Sequence, residues 1–172
     1  MLDSHSPLEG VAQFELSGIS IVEDGDFQLW QYAGDEKELK KTLGKLPARV
    51  GAALEHDNRR VMRIGPKQIW AVGNEIPEAT GIYKTNLSSG RCRLRMEGAK
   101  ARDVLQACAI IDFHKSQFKP GQFAMTSIHH TPVTIHCIGE NIFHVYALRS
   151  FSLAVWEWLV DAAKGLRDAQ SA

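Results

Sequence analysis

Residues 123–148 hold three alternating apolar and polar runs joined by connections too short to contain a helix, and only an antiparallel sheet accommodates that arrangement. The runs are Phe123 to His129, Val133 to Ile138 and Ile142 to Leu148. The connection Gly139-Glu140-Asn141 suits a three-residue hairpin. It pairs Ile138 with Ile142, His136 with His144 and Thr134 with Tyr146. A turn at His130-Thr131 sets Ser127 opposite Thr134. One face then carries Ala124, Thr126, Ile128, Val133, Ile135, Cys137, Phe143, Val145 and Ala147, a core face. The other carries Phe123, Met125, Ser127, Thr134, His136, Ile138, Ile142, His144 and Tyr146. That second face is too apolar to meet only water, so the terminal helix or a partner protein is expected to cover part of it.

The rest of the chain reads as short strands with helices between them. Phe14 to Ile21 is a strand with a bulge at Gly18, and Phe27 to Tyr32 is another. Asp35 caps a helix running to Leu43, stopped by Gly44 and Pro47. Residues 48–58 read as a loop or short helix. Val61 to Ile64 and Ile69 to Gly73 are strands around the Gly65-Pro66 turn; Ile82 to Leu87 and Cys92 to Met96 are two more. Gly98 opens a helix with Ala101, Val104, Leu105 and Cys108 on one face. The expected fold class is α+β, a mainly antiparallel sheet with two principal helices. Residues 1–10 are expected as a disordered lead-in to one domain over 11–172, any subdivision falling near 76–80.

The terminal helix, starting at Ser150 or Ser152 and ending near Gly165, carries unusually much apolar surface. Glu157, Asp161 and Lys164 share one narrow polar strip, and apolar residues occupy roughly 200° of the circumference, about twice what a surface helix needs. Two rows are visible. Trp156, Leu159, Val160 and Ala163 form one; Phe151, Val155, Trp158 and Ala162 form the other. One row serves the domain's own core. The second is covered either by another segment of the same chain or by a partner protein, for which tryptophan is a common anchor. Phe151, Val155, Trp158 and Ala162 are therefore the candidate partner interface.

No segment announces chemistry. Lysine plus arginine and aspartate plus glutamate number 20 each, which argues against a nucleic-acid binder. Cys92, Cys108 and Cys137 are far apart and odd in number, so neither a disulfide framework nor a CxxC motif is expected, and a reducing cytoplasm is. The N-terminus shows no signal-peptide pattern, and no run approaches a membrane span. Neither G-x-G-x-x-G nor a Walker-type loop occurs, so no dinucleotide or ATP site is expected. His129, His130, His136 and His144 lie on neighbouring strands, but only Cys137 is near and it points to the opposite face. No metal site is expected. Asp112 and His114 form a D-x-H pair without an adjacent nucleophile, so Asp112 is expected to cap a turn rather than orient a base. Arg91, Arg93 and Arg95 alternate on one strand face, facing either solvent or an acidic partner.

Several segments together resemble the sarcosine oxidase gamma subunit family. Arg93-Leu94-Arg95-Met96-Glu97-Gly98 followed by Ala101-Arg102-Asp103-Val104-Leu105 resembles its R-L-x-G-x-x-A-R-D-V-L step. Asp112-Phe113-His114 is similar to its D-L-H, and Phe118-Lys119-Pro120-Gly121 to its F-x-P-G. Arg149-Ser150-Phe151, Trp156-Glu157-Trp158-Leu159 and Asp161-Ala162-Ala163 resemble its C-terminal R-S-F…W-E-W-L-x-D-A-A, and Gly65-Pro66 before Trp70 its G-P-x-x-W. Where the family has D-x-S this chain has Asn86-Leu87-Ser88, which weakens any role for a carboxylate there. The resemblance implies a reduced version of the aminomethyltransferase folate-binding domain. It implies a non-catalytic subunit beside alpha, beta and delta chains that hold FAD, FMN, NAD and zinc. The implied complex demethylates sarcosine to glycine, passes the one-carbon unit to tetrahydrofolate or formaldehyde, and makes hydrogen peroxide. A stand-alone folate-binding or one-carbon transfer protein and a homo-oligomeric structural protein are the alternatives.

Overall fold

A computed structural model describes residues 6–11, 13–25, 27–74 and 76–171. Their elements in chain order are β1 (Phe14–Leu16), β2 (Ile19–Glu23), β3 (Gln28–Ala33), α1 (Glu36–Leu43), β4 (Ala53–His56), β5 (Arg59–Gly65), β6 (Gln68–Gly73) and β7 (Tyr83–Asn86). They continue with β8 (Arg91–Glu97), α2 (Ala101–Cys108), β9 (Phe123–Ile128), β10 (Thr131–Gly139), β11 (Ile142–Leu148) and α3 (Ser152–Ser171). The chain interleaves two compact units. One is built from Met1–Gly25, Arg91–Pro120 and Ala124–Ala172, the other from Asp26–Gly90 and Gly121–Phe123. The boundaries thus fall near residues 25 and 90 and around 121–123, and the 76–80 segment lies inside the second unit.

In the first unit the sheet order is β1-β2-β8-β11-β10-β9. The expected pairs His136 with His144 and Thr134 with Tyr146 are present, and the two histidines share a face. Ile138 does not pair with Ile142. Gly139 takes that place and the register shifts between Cys137 and Gly139, a bulge that absorbs the extra residue. Ile128, Val133, Ile135, Cys137, Phe143, Val145 and Ala147 form the core face as expected. On the other face Thr134, His136, His144 and Tyr146 are buried too, while Met125 is exposed.

Gly18 makes a hairpin turn, not a bulge. Leu16 pairs with Ile19 across Ser17-Gly18, and the Gly18 φ of 86° is left-handed. Lys100 N–H donates to Gly18 O at 2.9 Å, bringing the hairpin against the entry to α2. Gly98, at φ 131°, stands so close that a Cβ there would sit 2.3 Å from that same carbonyl oxygen. The glycine before α2 is therefore set by a backbone approach as well as by its torsion.

The lead-in is ordered where it is described. Leu8 is buried in the core, Leu8 N–H bonds Ser6 Oγ, and Ser6 Oγ donates to Glu23. Residues 1–5 lie outside the described residues.

The terminal helix is preceded by a 3-10 turn, Arg149–Phe151, and runs past Gly165 to Ser171. Gly165 is solvent-facing with nothing within 4 Å, so its cost is only that of one helical glycine, about 1 kcal/mol, and propagation overrides it. The wide apolar arc is explained by two supports. Val155, Leu159, Val160 and Ala163 sink into the sheet core, and α2 packs alongside. Trp156, Trp158, Ala162 and Leu166 line the flanks, half-buried against the same core. Each fully buried aliphatic contributes about 1.5–3 kcal/mol.

The second unit has sheet order β4-β5-β6-β3-β7. Residues 48–58, expected as loop or helix, contain β4. Its hairpin to β5 turns at Asp57-Asn58, both at positive φ (48° and 57°), with His56 paired to Arg59. That is the torsion requirement of a type I′ connection. α1 spans the expected residues, and Gly44 at φ 76° ends it. Asp35 occupies the N-cap position, but its carboxylate bonds Lys67 Nζ at 2.6 Å rather than the helix amides. Buried Arg63 bonds both oxygens of Glu36 at 2.8 and 2.9 Å and the carbonyls of Pro47 and Pro66. It thereby ties the helix to two loops, and the bond from Arg63 holds the Glu36 carboxyl below the usual range.

Candidate functional site: the Arg102 clasp and the surface around it

Three motif segments of the first unit, those of α2, Asp112–His114 and Phe118–Gly121, meet at one side chain. Arg102 leaves the first turn of α2 and spends its guanidinium on backbone carbonyls. Nε and Nη2 donate to Glu140 O at 3.0 and 2.6 Å, and Nη1 donates to Phe113 O at 2.5 Å and Phe118 O at 3.0 Å. Nη2 also lies 3.7 Å from Cys137 Sγ, and the guanidinium sits 5.1 Å from the Phe143 ring centroid. One planar fork thus fastens α2, the 113–118 loop and the β10–β11 hairpin together, a geometry that lysine cannot copy. Beneath it Phe113 meets Phe118 and Phe143 edge-on at 5.3 and 6.3 Å, while Phe118 stacks on Phe143 at 6.4 Å.

Asp112 behaves as the turn cap expected of it. Its Oδ1 accepts the His114 backbone N–H at 2.8 Å, and the His114 ring pairs with Ser116 Oγ instead of the carboxylate. Among the described residues no carboxylate pairs with this imidazole. Asn86 does for Ser88 N–H what Asp112 does for His114, at 2.9 Å. The departure from D-x-S therefore keeps the turn and drops only the charge.

The four sheet histidines do not converge. His136 and His144 face each other across β10 and β11, whereas His129 sits in the β9–β10 turn with its ring 4.6 Å from Trp158. His144 Nε2 lies 3.1 Å from Asp24 Oδ2, which Arg93 Nε approaches at 2.9 Å. Arg91, Arg93 and Arg95 stand opposite Leu148, Tyr146 and His144, confirming one shared face. Asp24 and Glu97 of the same chain meet two of those charges. Among the described residues no group of three or more His, Cys, Asp or Glu could hold a metal ion.

The candidate interface row is split. Val155 is fully buried in this chain's own core and is withdrawn as a partner contact. Trp158 and Ala162 are half-buried against that core, the Trp158 ring against His129 and its carbonyl near Cys108 Sγ. Phe151 stays open at 47%, joined by Leu153 at 44% and Ile110 at 93%. The periodicity argument missed Leu153 because it assigned whole rows, and missed Ile110 because that residue lies outside the helix, just after α2.

The surroundings of the three thiols disfavour the thiolate. Burial pushes Cys92 up to about 12 and Cys108 to about 11, and burial raises Cys137 as well. A thiolate is the reactive species. Native protein at pH 8 is expected to resist iodoacetamide on all three, and the denatured chain to take three labels; mass spectrometry reads both. Rapid labelling of the native protein would contradict the packing around α2 and β8.

Set beside known proteins, the geometry has clear counterparts. The family described as "Sarcosine oxidase, gamma subunit family" matches residues 63–165. The sarcosine oxidase subunit gamma of Corynebacterium sp. (strain U-96) is 27% identical over 138 residues, covering 74% of this chain and 67% of that protein. A chain of the heterotetrameric sarcosine oxidase from Corynebacterium sp. U-96, solved with pyrrole 2-carboxylate, aligns at TM-score 0.83 and 22% identity over 94% of this chain and 95% of that one. The glycine cleavage system aminomethyltransferase T of Bartonella henselae aligns at TM-score 0.61 and 13% identity, over 83% of this chain but 45% of its own. The expected likeness to a reduced aminomethyltransferase domain thus holds at the level of fold. The matched family segment begins at Arg63 and includes the Arg102 clasp, the Asp112 cap and most of the terminal helix: this chain belongs to the sarcosine oxidase gamma subunit family.

Proposed function

We propose that this chain is the non-catalytic gamma subunit of a heterotetrameric sarcosine oxidase-type complex, assembling in the cytoplasm with alpha, beta and delta chains. The observation that carries the reading is what the motif residues do. Arg102 saturates its donors on backbone carbonyls, Asp112 caps a turn and Phe113 and Phe118 fill the core. Groups committed to holding the fold are not free to act on a substrate. FAD, FMN, NAD and zinc belong to the partner chains in this reading, and so do sarcosine demethylation, transfer of the one-carbon unit to tetrahydrofolate or formaldehyde, and peroxide formation. Family membership and the fold shared with a chain of a heterotetrameric sarcosine oxidase support it. So do large apolar side chains left open at Phe151, Leu153 and Ile110.

The test is reconstitution. The alpha, beta and delta chains of the same source, expressed with and without this chain, are assayed for sarcosine-dependent hydrogen peroxide. Stable activity is expected only with it, and none from this chain alone. Full, equally stable activity without it, or tight tetrahydrofolate binding by the isolated chain in calorimetry, would sink the reading.

A further inference from the structure

Ser6 to Gly10 fold into a turn whose backbone hydrogen bonds close on the segment itself. Leu8 N–H donates to Ser6 Oγ at 2.9 Å, Glu9 N–H to Ser6 O at 3.2 Å and Val11 N–H to Leu8 O at 2.9 Å. These donors are satisfied locally, and residues 6–11 stand outside every strand ladder. Two side chains carry the segment onto the first unit. Leu8, 4% exposed, enters the core, and Ser6 Oγ donates to Glu23 Oε2 at the end of β2. Val11 packs half-buried against the same core. Beside the Ser6 anchor lies a thiol. Cys92 Sγ donates to Glu23 Oε1 at 3.6 Å, so one carboxylate takes Ser6 on one oxygen and Cys92 on the other. Ser152 and Arg149, which lead into α3, face that thiol as well.

We propose that residues 6–11 form a strap over the junction of β2, β8 and α3, which opens as a unit while the rest of the first unit stays folded, and so uncovers the seat of Leu8 and the Cys92 thiol. Opening gives up one buried leucine and one hydrogen bond to a charged acceptor, and it frees the backbone of six residues. The loss and the entropic return are of the same order. A segment with few buried contacts and no ladder bonds opens below the free energy of global unfolding. The other two thiols lack such a cover. Cys137 sits in β10, between β11 and β9, and Cys108 sits in α2 with its Sγ 3.9 Å from the Trp158 carbonyl of α3. Reaching either of them requires parting a sheet or a helix pair. Access to the junction beside Cys92 is therefore what the strap controls, and the start of α3 lies at that junction.

The test removes both anchors and leaves the junction itself untouched. Iodoacetamide labelling of the full chain is followed at each cysteine by peptide mass spectrometry, in the wild type and in the Ser6→Ala/Leu8→Ala double variant. Cys92, slow in the wild type, is expected to label about tenfold faster in the variant, while Cys108 and Cys137 keep their wild-type rates. Circular dichroism melts within a few degrees of wild type are expected beside it, because the strap is separable from the fold. Hydrogen exchange of the wild type supplies a second readout that needs no substitution. The Glu9 and Val11 amides are expected to exchange well before those of β8, at a rate that low urea leaves unchanged. Three results overturn the proposal. A wild-type rate at Cys92 in the double variant means that the segment does not cover the thiol. Equal acceleration at all three cysteines, or a large fall in the melt, means that the anchors hold the whole unit. Exchange of the Val11 amide only together with the β8 amides means that the segment does not open by itself.

Discussion

Arg102→Ala is expected to lower the unfolding free energy by about 3–5 kcal/mol, among the largest effects of any exposed or half-exposed position. The loss has three parts. Hydrogen bonds from a charged donor contribute about 1.5–3 kcal/mol each, and Arg102 makes four to backbone carbonyls. The carbonyls of Phe113 and Phe118 lie beside buried rings and lose their partner without gaining full access to water. The stem and guanidinium no longer cover Phe143. Arg102→Lys is expected to recover less than half, since an ammonium presents a point charge where three carbonyls are spaced for a planar fork. Urea unfolding followed by circular dichroism measures both. A loss under about 1 kcal/mol for Arg102→Ala would mean that solvent replaces the clasp, leaving the motif without a structural explanation.

Gly98→Ala is expected to be at least as damaging, by about 3 kcal/mol or more, and to reduce soluble yield. The added Cβ would sit 2.3 Å from Gly18 O and 3.0 Å from Ile19 Cα. Those are backbone atoms, so no rotamer change relieves the contact. The φ of 131° adds strain of about 1–3 kcal/mol for any residue with a Cβ. The β1–β2 hairpin must then move off the α2 entry, breaking the bond from Lys100 N–H to Gly18 O. Thermal melts of Gly98→Ala against wild type check the prediction. A melt unchanged within a degree or two would show that the hairpin yields without cost.

What the sequence made legible follows from which forces act locally. The β10–β11 pairing was readable because alternation and a short loop fix which residues stand opposite one another, as His136 and His144 do. The slip at Ile138 was not readable, because a bulge adds one residue without altering the composition around it. The strand Ala53–His56 was lost because only two of its four residues are apolar and its turn, Asp57-Asn58, lacks the glycine that usually marks such a connection. The interleaving of the units was equally hidden, since residues 121–123 join the second unit through backbone bonds between Ala53 N and Gly121 O and between Phe123 N and Gly51 O.

For the candidate site the position was legible and the role was not. The motif residues Arg102, Asp112 and Phe118 could be singled out in the sequence, but a guanidinium that binds carbonyls 11, 16 and 38 residues away leaves no local trace. For the helix, the sequence left two covers open and the structure favours one of them. Its periodicity marked the second row as the candidate interface while leaving open that the same chain covers it, and α3 does have two supports in this chain, the sheet and α2. Val155 therefore belongs to the interior, and the surplus for a partner shrinks to the start of the helix, at Phe151 and Leu153.

The decisive measurement is native mass spectrometry of this chain co-expressed with the alpha, beta and delta chains of its source. A single dominant species containing one copy of each chain, with this one carrying no bound cofactor mass when released, is the predicted spectrum. A spectrum in which the other three chains assemble completely while this one remains a free monomer would contradict the account.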